Sequence, residues 1–275
     1  MIGTLTIAFM SRALILGLAF GAPGSGGAEA GGSKQAGDGL GLMEWHPDFQ
    51  VREVAREPIV FDPVDLEFDE RGNAFVLEMG GYPLAPENES DYPGRIVLLS
   101  DENGDGVFDR RRVFAERFQY ATSILPHRGG LLVASPPDLL FLKDSDGDGR
   151  ADVRTVLLSG FVVGNAQHNY NGLIRGLDNW VYSGSGGNSG RIAWANQPDQ
   201  AQNLNRRDFR FQVESREIDF IARTTSGFGI ALDDWGHVFT THNMHHIYHL
   251  VFPDRYLARN PFLSGSAIGE IADHL

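Results

Sequence analysis

Apolar residues in this chain fall in short runs broken by clusters of Gly, Asp and Asn, and four segments repeat one grammar. Leu66-Glu-Phe-Asp-Glu-Arg-Gly-Asn-Ala-Phe-Val76, Arg128-Gly-Gly-Leu-Leu-Val-Ala134, Leu173-Ile-Arg-Gly-Leu-Asp-Asn-Trp-Val-Tyr182 and Ile230-Ala-Leu-Asp-Asp-Trp-Gly-His-Val-Phe239 share it. Most read as an apolar strand, a tight polar turn and a second apolar strand, which predicts β-hairpins. With Gly72, Gly130, Asn179 and Gly236 as turn markers, the spacings are 58, 49 and 57 residues. A long period holding several short strands predicts an all-β fold, a β-propeller of four-stranded blades. The rival β-sandwich also repeats hairpins, but without a long superposed period. At roughly 45 to 55 residues per blade, the folded part has room for four to five blades. The ending, Ile271-Ala-Asp-His-Leu275, shows no closing strand, so an incomplete ring, truncated at the C-terminus, is expected.

The first residues add an address. Arg12 precedes the apolar run Ala13–Ala22, and Ala28-Glu-Ala30 offers small residues at a cleavage-like spacing. This is the anatomy of a secretory signal, and the run is too short for the ~20 residues that span a bilayer. The expected organisation is a signal peptide at 1–30, a Gly- and Ser-rich flexible leader at 31–42 and the propeller at 43–275, exported to the periplasm or cell envelope. A net charge of −13 makes nucleic acid a poor partner, because the field repels phosphate. The absence of cysteine excludes disulfides, a lipid-modified cysteine and covalently attached haem in this chain.

Two stretches read as metal loops. In Asp144-Ser-Asp-Gly-Asp-Gly-Arg-Ala-Asp152 the carboxylates of Asp144, Asp146, Asp148 and Asp152 hold positions 1, 3, 5 and 9, with Gly149 at position 6. Asp101, Asn103, Asp105 and Asp109 hold the same places around Gly106 in the first copy. Hard oxygen donors at alternate positions around a glycine turn suit Ca²⁺. Position 12 is Arg112 or Thr155 where an EF-hand has Glu, and apolar strand-like segments flank both loops. Structural calcium turns joining two strands are expected; solvated acidic turns without an ion are the plainer reading.

The segment His168-Asn-Tyr-Asn-Gly-Leu-Ile-Arg-Gly-Leu-Asp-Asn-Trp-Val-Tyr182, followed by Gly184 and Gly186-Gly187, resembles part of the soluble quinoprotein sugar dehydrogenases. Those are six-bladed propellers that use pyrroloquinoline quinone (PQQ) and calcium. Over most of the mature chain, Arg56-Glu-Pro58, Asp62-Pro-Val-Asp65, Gly94-Arg-Ile96, both aspartate loops, Asn171-Gly172, Asp233-Asp-Trp-Gly236 and Arg255-Tyr-Leu-Ala-Arg-Asn-Pro261 resemble the PVC-type membrane-bound dehydrogenase family of bacteria. These exported propellers are often fused to helical repeats and a haem c module. The resemblance implies a dehydrogenase oxidising a sugar or alcohol, with His168 as general base and electrons passed to a haem c domain or protein. It also implies Arg223 near cofactor or substrate, and Asn171, Arg223 and His242 as cofactor contacts. The alternative is a non-catalytic, calcium-stabilised propeller that binds carbohydrate or a protein partner.

His242, His245, His246 and His249 crowd one segment with Met244. Such density offers Zn²⁺, Cu²⁺ or haem iron a site. On a strand, however, His245 and His249 share one face and His246 takes the other, which works against a single four-ligand site; a polar channel lining is the plainer reading. Ser183-Gly-Ser-Gly-Gly187 lacks the setting of a serine hydrolase.

Overall fold

A computed structural model of the chain describes residues 15–17, 46, 48–49, 51–84, 86–224, 227–242, 245–260, 262 and 265–273. The expected signal peptide and leader lie outside them except for Ile15–Gly17, strand β1, which pairs antiparallel with β2, Arg52–Ala55. Each predicted hairpin then opens an antiparallel sheet, four-stranded in three cases and six-stranded in one. Blade 1 is β3 (Pro63–Phe68), β4 (Ala74–Glu78), β5 (Gly94–Ser100) and β6 (Arg110–Phe118). Blade 2 is β7 (Ser123–His127), β8 (Gly130–Ser135), β9 (Asp138–Lys143) and β10 (Val153–Phe161). Blade 3 starts with β11 (Asn171–Arg175) and β12 (Val181–Gly184). The chain then leaves it to add β13 (Gly190–Trp194) and β14 (Gln202–Asn203) to the outer edge of blade 2. It returns for β15 (Asp208–Gln212) and β16 (Glu217–Ala222). Blade 4 is β17 (Ile230–Leu232), β18 (Val238–Thr240), β19 (His245–Leu250) and β20 (Ile268–Asp273), the last reached through the short helix α1 (Asp254–Leu257).

The first strand of each sheet packs beside the first strand of the next: β3 against β7, β7 against β11, β11 against β17. Sheets that meet at their first strands and fan outward form a β-propeller, here of four blades among the described residues. The end of the chain departs from expectation. Ile268–Asp273 is the fourth strand of blade 4, paired with β19, where the sequence offered no strand pattern. Cross-strand pairing supplies there what the Gly- and Asp-containing segment lacks in propensity.

Packing follows from strands buried on both faces. In β8, Leu131, Leu132, Val133 and Ala134 are all fully buried. Leu131 and Val133 join Ile96, Phe114 and Phe118 of blade 1, whereas Leu132 and Ala134 join Tyr170, Val181 and Phe209 of blade 3. Alternation thus persists as two apolar sides instead of one apolar and one polar side, which explains the continuous hydrophobic run. Each such leucine side chain contributes roughly 1.5–3 kcal/mol by burial.

Polar bonds register the inner strands. Asp65 Oδ2 accepts from Ser123 Oγ at 2.7 Å and from the Ile124 amide at 2.8 Å, and Ser123 Oγ accepts from the Leu173 amide at 2.9 Å. Asn171 continues the series: its Oδ1 accepts from the Gly229 amide at 2.7 Å, and its Nδ2 donates to the carbonyls of Asn169 (2.8 Å) and Gly227 (3.4 Å). One side chain, Asp65, Ser123 or Asn171, therefore links each of the first three blades to its successor.

Because all first strands run the same way, the connections sort onto two faces. The turns between first and second strands, and between third and fourth, emerge on one face, called lower below. The links between second and third strands, and between blades, emerge on the upper face.

Candidate functional site

The upper face carries three of the polar residues expected around a catalytic centre. His168 and Arg223 lie in the links that enter blades 3 and 4, and His242 lies between β18 and β19. His168 ends a 3₁₀ turn, Ala166–His168, capped by Asn165, whose side chain accepts from the Gln167 amide at 3.1 Å. Its Nδ1 sits 2.9 Å from the Gly186 carbonyl oxygen. A carbonyl only accepts, so Nδ1 carries the proton and, in the neutral ring, Nε2 holds the lone pair.

The loop that orients His168 is itself fastened. The Asn188 amide donates to the His168 carbonyl at 3.0 Å, and Asn188 Nδ2 reaches Asn165 O (3.1 Å) and Asn169 Oδ1 (3.0 Å). Gly186 adopts φ +67°, and a Cβ there would fall on the Asn169 carbonyl, so no other residue fits this approach. Over blade 2, Gln167 Nε2 donates to the Tyr82 hydroxyl at 2.8 Å, Tyr82 meets Tyr120 edge-on at 6.0 Å, and Tyr120 donates to Pro83 O at 2.7 Å. These aromatic and amide groups wall the upper face between the long β4–β5 link and the His168 loop.

A residue that no local pattern marks sits underneath. Asp208, at the start of β15, is buried and accepts from the Ser185 amide at 2.8 Å and from the Thr224 hydroxyl. It therefore ties the loop bearing Gly186, which orients His168, to the loop bearing Arg223. Burial pushes its carboxyl up to about 6, against the pull of the hydrogen bonds from Thr224 and Ser185. In sequence, Arg207-Asp208-Phe209 looks like an ordinary strand start.

The other expected residues are placed as follows. Arg223 is exposed, and its guanidinium has no ion-pair partner among the described residues. His242 is half-buried, its ring 5.5 Å from that of His245, whose Nδ1 lies 2.7 Å from Glu270 Oε1. Asn171 is fully buried, with its amide engaged between blades as described above.

The aspartate loops lie on the opposite, lower face, between β5 and β6 and between β9 and β10. Their hydrogen bonding matches position by position. The carboxylate at position 1 accepts from the amides at 4 and 6: Asp101 from Gly104 and Gly106 (both 2.7 Å), Asp144 from Gly147 (2.6 Å) and Gly149 (2.7 Å). Asn103 and Asp146 at position 3 accept from the amides at 5, and Asp105 and Asp148 at position 5 from those at 7. Asp109 and Asp152 at position 9 accept from Glu102 and Ser145 at position 2. The four glycines take φ between +75° and +83°.

Oxygen atoms of Asp144, Asp146 and Asp148 lie within 4.8 Å of one another. The Gly106 amide above all, with further help from Gly104, Asp105 and Arg52, holds the Asp101 carboxyl below its ordinary value. For Asp144, desolvation works the other way, but hydrogen bonds led by the Gly149 and Gly147 amides together still lower it. The Ser145 hydroxyl and amide lower Asp152. These groups are ionised at neutral pH and aimed inward.

Both loops also dock on the strand before them. The Phe108 amide donates to Val54 O at 2.9 Å, and the Ala151 amide to Phe114 O at 2.8 Å. Arg52 lies over Gly106 as Arg112 lies over Gly149, where Arg112 donates to the Asp148 carbonyl. Thus β2 takes against blade 1 the place that β6 takes against blade 2.

Fold and faces together define a β-propeller with a histidine-bearing upper face and paired acidic turns beneath. The chain belongs to the family described as "Domain of unknown function (DUF7133)", which matches residues 36–274. No curated protein matches it. Among solved structures it is similar to a chain of "Crystal structure of Nidogen/Laminin Complex", at 11% identity and a TM-score of 0.43, over 90% of this chain and 88% of that one.

Proposed function

We propose that the upper face is the active site of an exported, quinone-dependent dehydrogenase of sugars or alcohols, related to the PVC-type membrane-bound dehydrogenases. The observation that carries the reading is the hydrogen bond from His168 Nδ1 to the Gly186 carbonyl. It fixes the tautomer in which Nε2 can accept a hydroxyl proton, on the face that also bears Arg223 and His242.

PQQ, when bound, supplies the acceptor for the hydride that leaves the substrate carbon. The exposed Arg223 guanidinium and the His242 imidazole suit its carboxylates, as a planar donor and a second cation-capable ring. Asn171 does not fit as a contact, because its amide is engaged between blades. His168 Nε2 receives the substrate hydroxyl proton as the carbon is oxidised to a carbonyl. Asp208 keeps the His168 and Arg223 loops at fixed separation. A haem c domain or protein takes the electrons onward. The lower loops bind Ca²⁺ as structural staples, since six to eight oxygen ligands are within reach of carboxylates, carbonyls and water.

The test is dye reduction by the purified protein reconstituted with PQQ and Ca²⁺ against a panel of sugars and alcohols. Turnover is expected, and His168→Gln is expected to reduce it about 10²- to 10⁴-fold, the span of a general base. Wild-type turnover in His168→Gln, or failure of the intact protein to bind PQQ, would remove the enzymatic reading. One observation favours the alternative of a non-catalytic propeller: Leu177 and Trp235 stand 81% and 83% exposed on neighbouring lower-face turns, as a carbohydrate or partner contact would require.

A further inference from the structure

Blade 4 carries a second kind of donor set on the lower face, away from both the acidic loops and the upper-face site. His237 ends the turn before β18, and His249 lies on β19 directly opposite Phe239, so the two imidazoles are diagonal neighbours on one side of the sheet. Their ring centroids are 5.3 Å apart with planes at 84°. Two imidazoles that share one tetrahedral ion, with metal–nitrogen distances near 2.0–2.1 Å, place their centroids about 5.2 Å apart. The centroid spacing of the pair matches that of two imidazoles on one ion.

Both rings are held. His237 Nδ1 lies 2.7 Å from Asp233 Oδ2, and this carboxylate accepts its proton. Asp233 is fixed in turn, its Oδ1 accepting from the amides of Trp235 (3.0 Å) and His237 (2.8 Å). A carboxylate behind Nδ1 leaves Nε2 as the ligating atom and raises its basicity, the second layer usual in histidine metal sites. His249 is stacked on Phe239 at 5.0 Å and 22°, which sets its plane.

We propose that His237 and His249 bind a borderline divalent cation, Zn²⁺ above Ca²⁺, with Asp233 as the orienting carboxylate. Imidazole nitrogen selects such ions, whereas the all-oxygen loops select Ca²⁺. Two protein ligands leave the remaining positions to water, so the site is open to exogenous ligands. This assignment is independent of the dehydrogenase reading.

The experiment is calorimetric titration of the tag-free protein with Zn²⁺ in saturating Ca²⁺, paired with Co²⁺ substitution to follow the visible band of a tetrahedral ion. The wild type is expected to take up zinc, His237→Ala and His249→Ala to lose it, and His242→Ala to keep it. Asp233→Asn, which retains the turn-capping oxygen, is expected to weaken binding about 10- to 100-fold. His249→Gln, close in size to the native ring, is expected to lose zinc as well, and it decides the matter should His249→Ala fail to fold. Absence of zinc uptake by the wild type, uptake unchanged in His237→Ala and His249→Gln, or loss only in His242→Ala would each overturn the assignment.

Discussion

Glu67→Gln offers the sharpest test of how the inner strands are built. Glu67 and Asp65 alternate along β3 and so project to one side, where burial first and the Asp65 charge second push the Glu67 carboxyl from 4.5 to about 8. The folded state therefore keeps a proton that the unfolded chain releases, and stability falls as pH rises from about 4.5 to about 8. At about 1.4 kcal/mol per pH unit the whole interval amounts to about 5 kcal/mol. Glu67 is partly open to solvent, and screening brings the expected loss to about 2–4 kcal/mol. Glutamine keeps the shape and removes the charge. Urea unfolding at pH 5 and pH 8.5, both in Ca²⁺, should show Glu67→Gln matching the wild type at the lower pH and exceeding it by that amount at the higher one. The same loss of stability in both proteins between the two pH values would refute the placement of Glu67 in a low-dielectric setting beside Asp65.

Three further outcomes follow from other parts of the molecule. Asp146→Ala should lower the thermal midpoint in Ca²⁺ but not in chelator, and equal effects in both would remove calcium from the loop. Asn171→Ala strands the Gly229 amide between blades 3 and 4 and should cost about 1–3 kcal/mol in chemical denaturation, the penalty of one buried unpaired donor. Asp208→Ala leaves the Ser185 amide and Thr224 hydroxyl unpaired, so a loss of about 2–4 kcal/mol is expected; hydrogen exchange should rise in both the 185–189 and 223–224 segments, and a rise in one alone would separate the two loops.

The blades were legible because each begins with a hairpin whose turn chemistry is local: Gly72, Asn179 and Gly236 take φ of 85°, 64° and 83°, which the turns require. The acidic turns were legible for the same reason, their carboxylate spacing being a property of nine consecutive residues. Blade 2 showed the limit of local reading, since Gly129, not Gly130, holds the positive φ there. In the long excursion from β12 to β15, β13 and β14 extend blade 2, a pairing fixed by a neighbouring sheet and invisible to periodicity. Asp208 escaped for a related reason: its partners, Ser185 and Thr224, lie 23 and 16 residues away, and nothing in its immediate neighbours marks it. The family resemblance pointed to Asn171 as a cofactor contact, but the close approach of blade 4 determines what its amide does.

The separation of the two faces has a mechanical consequence. Each acidic loop is bonded at its eighth residue to the outer strand of the preceding unit and covered by an arginine from that strand, Arg52 or Arg112. A cation held by such a loop would order a seam between units, not a turn alone, because the backbone of the same loop donates across the boundary. The upper face is spanned instead by side chains that cross from unit to unit, Gln167 to Tyr82 and Asp208 to Thr224. Loosening the lower seam would let adjacent units pivot about their inner strands, where Asp65, Ser123 and Asn171 hold register. A cation bound at these loops would therefore act on the geometry around His168 from the far side of the wheel, through the seams and not by contact.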